Sequence, residues 1–369
     1  MDETKPSMIN GLNKTAIDAI MERMKADPTV GDNVSVVVTA IWKRGVIFHT
    51  DSELVCFPPP EIAKEVGYPS MNSYCPLVAA GCFSLIYMLH AAERDVSFES
   101  FQTRQKHNVD FSCFYKTSAA GTNPWEDGVT LDIEMKCPQS QDVLIDLGKI
   151  ADAHCPSVEI MRREFPVEVT KVTGTYAELK GKTVYYDMDK YNALSKQVGP
   201  IIVKQHAKGR WYCKNECKKY PDALMTFEFK HDGNSVLVLS HDKPMASGKY
   251  ATPVQACFFG GLSTYMHTFA VRLYTRGYII KSIKGTLKTR MNNRMVMAVD
   301  LDKYIFPGSA FIELEVESNA PDEALYEAQH EADEMSPAFM NWRNSIPMQL
   351  NLAKASGTFE SIGKLFKRK

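Results

Sequence analysis

Residues 128–150, "GVTLDIEMKCPQSQDVLIDLGKI", read as a strand with alternating apolar positions, a proline break and an amphipathic helix. Residues 309–331, "SAFIELEVESNAPDEALYEAQHE", read the same way. Ile133-Glu134-Met135 falls on Leu314-Glu315-Val316, a shift of 181 positions (314 − 133). The same shift carries Pro156 onto Pro337, and Pro166 of "FPVEV" onto Pro347 of "IPMQL". A match without gaps across two helix and strand boundaries marks an internal repeat.

Upstream the match continues with one residue of slippage. "CFSLIYMLHAAERDVSFESF" (82–101) falls on "TYMHTFAVRLYTRGYIIKSI" (264–283), a shift of 182 (264 − 82). Each is an apolar helix, a polar or glycine break and a strand start. Farther back, "VSVVVTAIWKRGVIFH" (34–49) and "PIIVKQHAKGRWYCKN" (200–215) are both extended, and the second half carries extra residues around 215 to 235. The expected organisation is two copies of one α+β unit, 1–172 and 180–355, followed by a basic tail at 356–369. A period this long is a fused pair, since solenoid repeats run to some 20–50 residues.

The chain has 369 residues, 44% hydrophobic and 24% charged, with a formal net charge of −1. That balance gives no electrostatic footprint for a nucleic-acid partner. The first residues, "MDETKPSMINGLNK", have no apolar signal core, and no run reads as the roughly 18 apolar residues of a membrane span. Nine cysteines, scattered rather than densely spaced, point to reduced thiols and a cytoplasmic setting.

Two of those cysteines stand out. Cys82 is read at the head of the apolar helix in "AAGCFSLIYML", and Cys155 heads a second helix in "DAHCPSVEIMRREFPVEV". Their counterparts in the second copy are Thr264 and Ser336, so the two thiols are lost together. A pair acting as nucleophile and partner explains joint loss; two independent core thiols would require coincidence.

At these residues the chain resembles the OsmC/Ohr family, the osmotically inducible protein C and organic hydroperoxide resistance proteins. "AIDAIMERMKADPTVGDNVSVVVTAIWKRG" (16–45) is similar to the opening helix and strand of many members. The resemblance implies an intertwined dimer whose sheets wrap two long central helices, with active sites at the interface. Fused in one chain, two copies would form an intrachain pseudo-dimer. It further implies thiol-dependent reduction of organic hydroperoxides. Cys82 would be the peroxidatic thiolate and Cys155 the resolving thiol, with no metal or bound cofactor and an external dithiol as reductant. His154 is a secondary candidate.

The family also uses an arginine from the first hairpin and a glutamate ten residues before the reactive cysteine. Arg44 of "WKRG" matches the arginine, with Lys208 or Arg210 as the alternative from the other copy. The glutamate is replaced by Asn72, and by Val254 in the second copy. This departure leaves a second reading open: a non-catalytic member that binds an apolar ligand or a partner at the pseudo-dimer interface.

The remaining cysteines read more plainly. Cys213 and Cys217 form C-x3-C without two further ligands nearby, and Cys75 is an alternative resolving thiol. Cys56, Cys113, Cys137 and Cys257 read as packing residues. In the tail, Phe359, Ile362 and Phe366 fall at helical spacing beside a basic cluster, read as a solvated end.

Overall fold

The computed structural model describes residues 7–64, 67, 69–118, 123–125, 128–179, 181, 183–213, 225–231, 235–241, 251–346, 348–354 and 360–364. The first half runs β1 (Met8–Ile9), β2 (Leu12–Asn13), α1 (Lys14–Ala26), β3 (Val34–Lys43), β4 (Val46–His49), β5 (Val55–Cys56), α2 (Met71–Glu93) and β6 (Ser100–Asp110). It continues with α3 (Ser112–Tyr115), β7 (Val129–Lys136), α4 (Gln141–His154), α5 (Pro156–Arg162) and β8 (Val167–Tyr176). The second half runs α6 (Met188–Leu194), β9 (Ile202–Cys213), β10 (Met225–His231), β11 (Ser235–His241), α7 (Pro253–Thr275) and β12 (Ile280–Met291). After it come α8 (Asn293–Val296), β13 (Ala310–Ser318), α9 (Asp322–Met335), α10 (Pro337–Arg343), β14 (Met348–Lys354) and β15 (Glu360–Lys364). The protein is a mixed α+β structure.

Alternation builds the strands. On β6, Phe101, Thr103, Gln105, His107 and Val109 face inward while the residues between them face out. β1 and β2 pair as a small two-stranded sheet; of the two large sheets, one has the order β5-β4-β3-β12-β13-β8, the other β11-β10-β9-β6-β7-β14-β15. Each large sheet therefore draws strands from both halves, and the boundary near 172–180 divides the sequence but not these sheets. Neighbours are antiparallel except β13 with β8 and β7 with β14. The tail departs from its helical spacing: 360–364 form β15, antiparallel to β14, whereas Phe359 and Phe366 lie outside the described residues.

The two long helices, α2 and α7, are each 23 residues and pack against one another between the sheets. Both are buried almost all round, as a helix apolar on every face must be. By length and composition α2 could cross a membrane, which the expected absence of such a run had missed. However, 94% of its most apolar window is buried inside the protein, so it is a core helix. Close approach of the pair relies on Gly260, where a Cβ would stand 2.8 Å from Tyr74 Cβ.

Equivalent cross-contacts tie each helix to the other half. His90 Nε2 on α2 donates to the Val296 carbonyl of α8 at 3.1 Å. Arg272, 182 positions later (272 − 90) on α7, donates to the Phe114 carbonyl of α3.

Candidate functional site

The sequence places Cys82 at the start of a helix; the structure places it twelfth in α2, which begins at Met71. The unpaired N–H groups of α2 therefore lie too far away to act on this thiol. What faces it is the junction of α4 and α5. Cys155 is the residue at that junction, ending α4 and capping α5 with an extended backbone (φ −85°, ψ 119°). Pro156 follows as the first helical residue, where its missing N–H costs nothing. This leaves the Ser157 N–H free to point outward.

Cys82 is 1% exposed and Cys155 fully buried, both as free thiols. Burial by itself disfavours a Cys82 thiolate. Hydrogen bonds from the Cys155 thiol, the Ser157 hydroxyl and the Ser157 backbone N–H outweigh that penalty and bring its pKa below the ordinary thiol value. Ser157 Oγ is buried without a hydrogen-bond partner and lies near enough to the Cys82 sulfur to favour its charged form. Cys155 moves the opposite way: burial raises it, then its donation to Cys82 and the nearby thiolate raise it further. The two shifts run in opposite directions, so Cys82 is the member of the pair that ionises first. Other buried thiols show what burial alone does, pushing Cys56 up and Cys113 up to about 12.

The junction is braced on both sides. Arg162 of α5 grips both carboxylate oxygens of Asp152 on α4, spanning Cys155. Glu159 accepts from the backbone N–H of Ile305 at 2.9 Å and of Phe306 at 3.0 Å, fastening α5 to the second half. These two carboxylates tie α5 to α4 and to the second half, and so fix the junction that carries Cys155.

The structure brings Cys82 and Cys155 together but does not bring Arg44 to them. Arg44 is exposed in the β3–β4 turn, and β3 lies in the sheet that packs on α7. The hairpin strand packed on α2 is β9, from the other half, as the alternative through Lys208 or Arg210 requires. Yet Lys208 and Arg210 face outward from it, while Ala207 and Gly209 face in. Among the described residues no guanidinium or ammonium acts on the Cys82 thiol; Cys155 and Ser157 lower its pKa instead. The sequence signal for Ser157 was its place two residues after Cys155 in "CPS". His154 is fixed elsewhere, its Nδ1 donating to the Met295 carbonyl at 2.6 Å.

Asn72 is buried with Nδ2 3.5 Å from Glu61 Oε2, a carboxylate whose pKa burial raises. Both belong to the other side of the α2–α7 pair, because Asn72 shares a small cavity with Thr264, Trp125 and Trp342. That cavity of about 20 Å³ has room for roughly one water. Thr264 is also twelfth in its helix, and its hydroxyl donates to the Gly260 carbonyl at 2.8 Å. Ser336 caps α10 as Cys155 caps α5. This counterpart keeps the geometry and lacks the thiols.

Among the described residues no group of His, Cys, Asp and Glu could hold a metal. Cys217 and the side chains of Cys75 and Cys213 lie outside the described residues. No family model and no curated protein matches the chain.

Proposed function

We propose that the chain is an OsmC/Ohr-like, thiol-dependent reductase of organic hydroperoxides, an intrachain pseudo-dimer with one active cysteine pair. The observation that carries this reading is that Cys82 and Cys155 lie buried together at the α4–α5 junction as free thiols, with pKa values pushed in opposite directions. Supporting it are the paired 23-residue helices, the sheets that mix strands from both halves, and the thiol-free counterpart at Thr264 and Ser336.

In this mechanism Cys82 thiolate attacks the outer oxygen of the hydroperoxide. The O–O bond breaks, the leaving alkoxide takes a proton to become an alcohol, and Cys82 becomes a sulfenic acid. Cys155 sulfur then attacks Cys82 sulfur, releasing water and forming a disulfide. An external dithiol restores both thiols. Ser157 takes over the anion stabilisation that the family assigns to an arginine. The sulfurs are shut off from solvent, so peroxide enters through a local opening of the α4–α5 junction.

The test is turnover of cumene hydroperoxide with dithiothreitol or dihydrolipoamide as reductant. Wild type should consume peroxide catalytically, and Cys82→Ser should fall to the rate of reductant alone. A Cys82→Ser rate equal to wild type would remove the reading. Absence of turnover together with unmodified thiols would favour the non-catalytic member that binds a ligand or partner at the α2–α7 interface.

A further inference from the structure

We propose that the cleft between the β3–β4 turn and the start of β12 is a binding site for a small organic anion with a compact apolar body. This is independent of the thiol chemistry. The cleft encloses about 270 Å³. Lys43 and Arg44 contribute one wall, Thr183 and Tyr185 from the segment joining the halves a second, and Ile280 and Lys281 the third.

Charge is the first argument. Lys281 is paired with Glu317 at 2.5 Å, but Lys43 and Arg44 form no ion pair among the described residues. The wall therefore carries two uncompensated cations beside a compensated one, which concentrates anions in a concave site. A guanidinium offers a carboxylate or phosphate two parallel hydrogen bonds.

Placement is the second argument. Arg44 (φ 54°) and Gly45 (φ 82°) are both left-handed, the tight-turn geometry in which Asn or Asp is favoured at the first position. Arginine stands there instead. Gly45 is packed directly on the cleft wall, since a Cβ would stand 2.8 Å from Tyr185 Cβ. The turn thus fixes the backbone from which the Arg44 side chain lines the cleft. Leu179, Tyr185 and Ile279, each half-buried, supply apolar surface in the cleft, and the volume lies just below that of drug-sized pockets, about 300–1,000 Å³. A ring-sized body with one anionic head fits this combination.

Isothermal titration of the full chain with phenyl phosphate, benzoate and inorganic phosphate at low salt tests the site. The expected result is saturable one-to-one binding of phenyl phosphate, benzoate or both, with inorganic phosphate at least tenfold weaker. Whichever organic anion binds identifies the head group. Arg44→Asn suits the left-handed turn, so its Tm should equal or exceed wild type while affinity drops tenfold or more. Lys43→Gln should weaken binding likewise, and Lys288→Gln, the same charge change on an exposed lysine of β12, should not. No saturable heat up to about 10 mM of either organic anion would overturn the proposal. So would affinity that Arg44→Asn leaves within twofold, equal weakening by Lys288→Gln, or inorganic phosphate binding as tightly as the organic anions.

Discussion

Gly261→Ala probes the packing of the repeat most sharply. A Cβ at Gly261 would stand 2.0 Å from Trp342 Cζ2 and 2.2 Å from Cη2, well inside van der Waals contact. Trp342 cannot swing away: it is 2% exposed and packed edge-on to Phe258 at 5.8 Å and to Phe165 at 6.2 Å. The corresponding positions of the first half carry different residues, Ala79 (261 − 182) and Met161 (342 − 181), both 1% exposed. A methyl goes with a flexible side chain there, and a bare Cα with an indole here. Overpacking of this kind costs about 1–3 kcal/mol, so Gly261→Ala should destabilise by about 2 kcal/mol despite its better helix propensity. Trp342→Met alone should cost about 3 kcal/mol for the space it leaves. In that background the added methyl has room, and Gly261→Ala should become stabilising by about 1 kcal/mol, the helical preference for alanine over glycine. The coupling is then about 3 kcal/mol. Equilibrium urea unfolding of the four proteins under reducing conditions measures it. Costs that add within about 0.5 kcal/mol would refute the packing argument.

Two further outcomes are expected. His267 is fully buried, its Nδ1 accepting from Tyr186 Oη at 2.7 Å, which in turn accepts from Trp42 Nε1 at 2.8 Å. Burial lowers its pKa to about 3 from 6.5. Between those values the unfolded chain binds a proton that the native state refuses, so stability contributed by neutral His267 is full above pH 6.5 and is lost as pH falls toward 3. From pH 6.5 to 5, wild type should lose about 2 kcal/mol more than His267→Asn, which cannot titrate but can still accept from Tyr186; equal slopes in urea melts would refute this. Separately, Thr264→Cys with Ser336→Cys should install a second intramolecular disulfide between those positions on diamide oxidation. Peptide mapping that finds both thiols free would show that the counterpart geometry has been lost.

The strand–helix–helix order of these two stretches was legible because they match without gaps: β7–α4–α5 and β13–α9–α10 keep a constant shift of 181. The start of α2 was misread for a physical reason. A proline inside a helix removes a backbone donor, yet α2 runs through Pro76 from Met71. Proline there forfeits one backbone bond near the helix start, and the buried Met71, Tyr74, Leu77 and Val78 offset that loss. Strand exchange between the halves left no local trace, because alternation fixes a strand's faces and not its neighbours. Arg44 was misplaced for that reason: its hairpin covers the other central helix. Ser157 went unnoticed because a serine at a helix start reads as capping, and only the tertiary placement of α2 turns it toward a sulfur.

The central claim is that Cys82 and Cys155 act as one redox pair. The direct test is a non-reducing peptide map of the reduced protein after one equivalent of cumene hydroperoxide. The account predicts rapid formation of a Cys82–Cys155 disulfide, abolished by Cys82→Ser and replaced in Cys155→Ser by a sulfenic acid that dimedone traps at Cys82. Two thiols still open to alkylation, beside unconsumed peroxide, would contradict it.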